Sequence, residues 1–252
     1  KLNLATSFSD FSKGYSNLYA ASYDQEGAPD QATLDGYVDS TERQSANIAG
    51  TLVTEFSLAR AHHTVLAGIE YINTLSDQDR FNAVWSSTQT DKEAFLIQRP
   101  MGLVATRGVN VAGVPVTVDF ATDLNDDTRV EVDVISAYVQ DEMEFDDRFS
   151  VLLGIRFDQF DIEVFNVPAA DKRDRRDQEV SPRLGLVYKW ADNVSMYASF
   201  SETFLPRSGE QYANINGDKN RLDPDTYRNL EVGLKWDITD GLSFTTAVFE
   251  IE

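Results

Sequence analysis

The stretch SPRLGLVYKWADNVSMYASFSETF, Ser181 to Phe204, decides the fold. It alternates apolar and polar residues, crosses a short turn at Trp190–Asn193, and alternates again. Leu184, Leu186, Tyr188 and Trp190 share one side of the first arm, against Arg183, Gly185 and Lys189 on the other. The second arm turns Ser195, Tyr197 and Ser199 to its polar side. A period of two on both sides of a tight turn marks an antiparallel hairpin. The question is whether its greasy side faces a protein core or lipid.

The same pattern recurs outward from this hairpin. Nine strand-like segments can be marked, near 2–20, 34–57, 62–80, 128–145, 148–164, 180–190, 193–204, 226–238 and 241–252. Val, Phe, Tyr and Thr recur in them, as strands favour, and helical periodicity is weak throughout. Ile135, Ala137, Val139, Met143 and Phe145 share a face that only Asp141 interrupts. Phe149, Val151, Leu153, Ile155 and Phe157 form the matching face of the next segment, and Leu230, Val232, Leu234, Trp236 and Ile238 that of a later one.

The connections are of two kinds. Arg60–His62, Asp146–Asp147, Ala191–Asp192 and Thr239–Asp240 are short. Asp24–Thr33, Asp77–Asp127, Asn166–Glu179 and Glu202–Asp225 are long and polar. The two kinds alternate, so an up-and-down meander places every short turn at one end and every long loop at the other. A soluble sandwich has no physical need of that asymmetry. An outer-membrane barrel does, with short turns toward the periplasm and long loops outside. Several segments also exceed the usual strand of about 5–6 residues and reach the roughly 9–11 residues that a membrane strand needs. Phe145, Phe149, Tyr188, Trp190, Trp236 and Phe244 collect beside the short turns, as an interfacial girdle does. The expected fold is therefore all-β, an antiparallel up-and-down transmembrane barrel of which about nine strands are present. A secreted β-sandwich with one buried face per sheet gives the same alternation and stays open as an alternative.

Composition narrows the function. The 252 residues include 42% hydrophobic and 25% charged side chains, which is ordinary for an ordered protein. The formal charge is −20, from 42 acids against 22 bases, and a field of that sign repels nucleic acid. There is no cysteine, so disulfides, thiolate metal sites and a thiol nucleophile are excluded. No run approaches 18 apolar residues, which excludes a membrane helix but not a membrane barrel. The only histidines, His62 and His63, lie beside a short turn without partners at catalytic or metal-ligating spacing, and solvated turn residues are expected. No cofactor or metal site is assigned. The oxygen-rich loop NINGDKNRLDPD, Asn214 to Asp225, lacks a glycine in EF-hand register and is expected to be a polar loop. The charge run RDRRDQE, Arg173 to Glu179, reads as a solvated loop. Inward-facing Arg156, Arg183, Lys189 and Lys235 are expected to pair with Asp158, Glu231 and Asp237 across the wall.

Several blocks, in order, carry a resemblance. VEVDVISAYVQDEMEFDDRFSVLLGIRFDQFD, EVSPRLGLVYKWADNVSMYASFSETFLPRSGEQY and LDPDTYRNLEVGLKWDITDGLSFTTAVFEIE closely resemble the barrel of TonB-dependent outer-membrane receptors, nearest the siderophore-receptor branch. HHTVLAGIEY, after STERQSANIAGTLVTEF, fits the same pattern. The resemblance implies a bacterial outer-membrane receptor, not an enzyme. It implies a plug domain inside a 22-stranded barrel, binding of a ferric siderophore from outside, and energy-coupled import through the TonB complex acting on the plug region. Residues 1–252 would then be a partial barrel domain, without the plug and the last strands, surrounded by outer-membrane lipid. Both ends alternate as if cut within strands, so a longer parent protein is expected. The alternatives are a passive porin-like barrel and the secreted sandwich. Candidate ligand contacts lie at the long-loop end: Arg80, Phe81, Trp85 and Arg99 on one loop, and Phe204, Arg207 and Tyr212 on another. They supply stacking and positive charge for an aromatic, anionic chelate.

Overall fold

A computed structural model describes residues 1–98, 102–103, 108–205 and 224–252. Those residues hold strands and turns, with no helix. The strands are β1 (Leu2–Ser22), β2 (Gln31–Leu58), β3 (Ala61–Trp85), β4 (Glu93–Gln98), β5 (Gly102–Leu103), β6 (Val118–Glu144), β7 (Phe149–Asn166), β8 (Asp171–Ala191), β9 (Val194–Leu205), β10 (Asp225–Thr239) and β11 (Leu242–Ile251). All nine expected segments are present; β4 and β5 arise within the span 77–127. The sheet order is β11-β10-β9-β8-β7-β6-β3-β2, with β1 on the other edge of β2 and β4 joined to the start of β2. Every pairing of neighbouring strands is antiparallel. Among the described residues no pairing joins β1 to β11, so the sheet is an open wall.

Local chemistry sets the tight turns. Ala59 and Arg60 both have positive φ, 51° and 69°, matching the double left-handed turn that continues strand twist between β2 and β3. Asp146 Oδ1 accepts from the amides of Arg148 and Phe149, each at 2.8 Å, and closes the β6–β7 turn. Asn166 Oδ1 does the same for Ala169 at 2.9 Å at the opposite end.

That last turn corrects one expectation. Asn166–Glu179 is not a loop, because β7 and β8 stay paired as far as Asn166–Asp171. The charges of RDRRDQE alternate along β8 and find partners. Lys172 pairs with Glu163 at 2.8 Å and Arg176 with Asp161, across the strands, while Arg175 pairs with Asp177 on the other face at 2.7 Å. Alternating charge opposite alternating charge is a strand signal that polarity alone conceals.

The wall has two zones. In the zone beside the short turns, Ile135–Phe145 of β6, Phe149–Phe157 of β7 and Val180–Trp190 of β8 turn their large apolar residues to one face, called outer here. Leu153, Ile155, Val139 and Trp190 are exposed on it. Each stretch has the length of a membrane crossing, about 9–11 residues. Phe145 meets Phe149 at 5.8 Å and Tyr188 meets Trp190 edge-on at 6.4 Å at the short-turn margin.

Beyond this band the alternation changes phase. Val130, Val132 and Val134 of β6, with Ile162 and Val164 of β7, form a buried cluster on the inner face, and Ile72 and Phe160 pack against it. The outer face there carries Glu131, Asp133, Asp161 and Glu163. A second cluster at the same end joins Leu34, Ala83, Trp85, Phe95 and Val116. It fills a fork: β2 and β3 stay paired up to Tyr37–Asn82, after which β3 follows β6 and β4 takes its place on β2.

His63 is a further correction. It is not a solvated turn residue: its ring stacks on Phe56 at 5.0 Å, and Nδ1 lies 2.8 Å from Asp141 Oδ2. Both sit on the outer face, so His63 accounts for the acid that interrupts the apolar face of β6. A hydrogen-bonded partner is what a carboxylate on an apolar surface requires.

Candidate functional site

The inner face of the band is polar and extensively bonded. Asn47 donates to Glu70 at 3.0 Å, and Arg156 reaches both Glu70, at 3.4 Å, and Asp158, at 2.8 Å. Ser136 donates to the buried Asp158 at 2.5 Å. Arg156 and Asp158 stand two apart on β7, so this pair runs along a strand, not across the wall as expected.

Two tyrosines lie flat on glycines of the next strand. A Cβ at Gly68 would meet the Tyr138 ring at 2.4 Å, and one at Gly233 would meet the Tyr197 ring at 2.4 Å. Each ring carries a cation, Arg156 at 5.6 Å from Tyr138 and Lys235 at 5.7 Å from Tyr197. Glu231 accepts the Tyr197 hydroxyl instead of pairing with a base. Arg183 and Lys189 have no carboxylate partner among the described residues, so of the expected partners only Arg156 and Asp158 meet, and they do so along one strand.

Above the band, where the outer face has turned polar, the inner face of β1–β3 becomes an aromatic wall. Phe11, Tyr15 and Tyr19 follow one another on the inner side of β1, and Tyr37 of β2 meets Tyr15 and Tyr19 edge-on at 6.0 and 6.2 Å. Arg80 of β3 lies 4.4 Å over Tyr37 and grips Asp39 with two bonds, of 2.6 and 2.9 Å. Asp39 is buried, and the Arg80 guanidinium holds its carboxyl below the usual carboxylate range. The same carboxylate, beside the Tyr15 hydroxyl, pushes that phenol up to about 12. Tyr19 donates to Asp35 at 3.1 Å, which raises its pKa as well. The arrangement presents ring faces, phenol hydroxyls and a fixed guanidinium, which suit a flat organic ligand and offer no nucleophile or general base poised for catalysis.

The candidate contacts are dispersed by this geometry. Arg80 is part of the wall. Phe81, the next residue, points to the opposite face. Trp85 is buried in the cluster that fills the fork, with its indole N–H donating to the Asp91 carbonyl at 3.2 Å. Phe204 packs edge-on against Phe160 at 5.4 Å. Arg99, Arg207 and Tyr212, and all but the last two residues of the oxygen-rich loop, lie outside the described residues. Phe11, Tyr15, Tyr19 and Tyr37 join the site without being among the residues expected from sequence. Their signal was present: aromatics at odd positions of a strand whose apolar residues, Leu2, Leu4 and Phe8, are at even ones.

A match to the family described as TonB dependent receptor-like, beta-barrel extends over residues 1–252. The metal-pseudopaline receptor CntO of Pseudomonas aeruginosa (strain UCBPP-PA14) is 28% identical over 208 residues, covering 80% of this chain and 26% of that protein. The ferrichrome outer membrane transporter/phage receptor of Escherichia coli (strain K12) is 28% identical over 199 residues, covering 79% of this chain and 24% of its own length. The crystal structure of the siderophore receptor PiuA from Acinetobacter baumannii has the same fold, with a TM-score of 0.69 at 19% identity, covering 98% of this chain and 37% of that one. The chain spans about a quarter of the length of these curated relatives.

Proposed function

The chain belongs to the TonB-dependent receptor β-barrel family of the bacterial outer membrane, and from that premise we propose that it is part of the wall of a receptor importing a metal chelate by energy coupling. The cargo class is a ferric siderophore or a related chelate. Relatives named for metal-pseudopaline and ferrichrome support this class. The observation that carries it is the inner aromatic wall of Phe11, Tyr15, Tyr19 and Tyr37 around Arg80, above the lipid-facing band. Arg80 and Phe204 remain candidate contacts, Arg80 through its ring stack and Phe204 through the Phe160 pair. The family consists of receptors, not enzymes. A plug region elsewhere in the parent protein, pulled by TonB, belongs to the same proposal.

The test is uptake. The parent protein is expressed in an outer membrane and supplied with radiolabelled ferric siderophores, with and without the TonB complex. Uptake that requires the complex is expected. Leakage of small solutes that ignores its removal would sink the proposal and favour a passive porin.

A further inference from the structure

Bases in the zone above the band are held by acids. Arg80 is bound by Asp39, Lys92 by Asp91, Arg129 by Asp77, Lys172 by Glu163, Arg176 by Asp161 and Arg228 by Glu202. In a chain with 42 acids and 22 bases this is unsurprising, since acids outnumber bases. Lys13 and Arg43 depart from it. Arg43 has no hydrogen-bond or ion-pair partner among the described residues, and Lys13, whose Nζ lies 5.1 Å from the Tyr15 ring, feels only the field of Asp39, an acid already bound by Arg80.

The two also adjoin. Lys13 is opposite Thr41 and Arg43 is opposite Phe11, so they are diagonal neighbours on the inner face of β1 and β2. Both are exposed. Diagonal side chains across antiparallel strands stand about 7–8 Å apart, within reach of long side chains, and like charges there repel. The other inner-face bases without an acid are Arg183, Lys189 and Lys235: Arg183 and Lys189 are six positions apart on one strand, and Ser195 of β9 stands between Lys189 and Lys235. Beside Phe11 and Tyr15 the inner face thus sets three bases, Arg80, Lys13 and Arg43, against one acid, Asp39.

We propose that Lys13 and Arg43 form a seat for an anionic oxygen group, a carboxylate or phenolate, carried by the chelate, with the Phe11 and Tyr15 rings flanking it. This rests on the receptor reading above and narrows its cargo to chelates with a free anionic arm. The chain's overall charge of −20 opposes an anion at long range. Distance decides which effect wins. Asp39, the inner-face acid beside Lys13, is gripped by Arg80; the acids of the outer face are on the far side of the wall, and charges beyond about 8 Å are largely screened at physiological salt. A contact at about 3 Å with two cations is not screened in that way. The seat therefore suits one anionic arm and disfavours a polyanion.

The experiment uses the full-length receptor in detergent and two probes. One is the ferric complex of a hydroxamate chelator with a pendant carboxylate; the other is the methyl amide of the same complex. Titration by intrinsic fluorescence quenching gives both affinities. The carboxylate probe is expected to bind about tenfold more tightly, the scale of one charge-assisted contact. Arg43→Gln and Lys13→Gln should each erase most of that preference while leaving the amide's affinity unchanged, and Arg43→Lys should keep most of it. Equal affinities in the wild type overturn the seat, as does a variant that weakens both probes alike. Failure of both probes to bind, while TonB-dependent uptake of ferric chelates persists, overturns the seat and spares the receptor reading. Loss of TonB dependence overturns both.

Discussion

Between Phe149 and Phe157 strand β7 turns its apolar side chains outward, and between Phe160 and Val164 the same strand turns them inward. The lower zone satisfies lipid outside and polar neighbours inside. The upper zone has water outside and its own core inside. One hydrogen-bonded strand serves both solvents because two apolar residues stand close at the change of zone, Val134 and Ile135 on β6, and Phe157 and Phe160 on β7. The switch locates the outer edge of the hydrocarbon more sharply than strand length does, since strands continue far beyond it.

One single substitution and three pairs probe this division. The largest effect is expected at Ile162, fully buried in the upper core: Ile162→Ala should cost about 2–5 kcal/mol in urea unfolding of the reconstituted barrel. A cost under 1 kcal/mol would mean that the upper valines do not form a core. Next, Ile155→Arg and Glu163→Arg place the same charge on the outer face of β7, inside and beyond the band. The first should cost about 2–4 kcal/mol if its residue lies near the midplane, and the second no more than about 1 kcal/mol, the scale of the exposed Lys172 pair it breaks. Equal costs would move the membrane edge. Third, Gly68→Ala must displace the Tyr138 ring and should cost about 1–3 kcal/mol, whereas Gly50→Ala, with its nearest atom 3.9 Å away, should be neutral or slightly stabilising. Chemical denaturation of the two variants side by side would decide it.

The smallest effect sets two acids of the upper zone against each other. Asp79 is raised by burial and by Asp127 and Asp77, and it stands directly opposite Asp127. Its ionised form opposes folding, so the cost is absent at low pH and appears as pH rises through its folded pKa. Asp39 is lowered by Arg80, so its contribution is present at neutral pH and lost as pH falls through its folded pKa. Asp79→Asn should therefore stabilise at pH 7 by about 0.5 kcal/mol and lose its advantage in acid. Asp39→Asn should destabilise at pH 7 and converge on the wild type in acid. Stability measured from pH 3 to 8 for both variants checks the opposed slopes.

Much of the wall was legible in the sequence. The hairpin at Ser181–Phe204, the short turns and the outer apolar faces follow from period-two alternation, which a strand in lipid obeys strictly. Polar length was harder to read. Residues 171–179 contain no apolar alternation, so their strand shows only in which charge faces which, as Lys172 with Glu163. The fork at Tyr37–Asn82 was hidden as well, because it depends on β4 replacing β3, a contact between segments distant in sequence. At the candidate site, Arg80 was identifiable as a cation at the outer end. Its neutralisation by Asp39, 41 residues earlier, and its seat on Tyr37 required the register.

The phase switch also limits how such a hairpin can change over evolutionary time. Above Val134–Ile135, inserting or deleting one residue in β6 would exchange Val130 and Val132 with Glu131 and Asp133 across the wall. Lineages should lengthen or shorten these outer arms in steps of two residues per strand. Odd steps should survive only where a bulge absorbs the extra residue, as at Arg80–Phe81, where β6 already carries one more residue than β3.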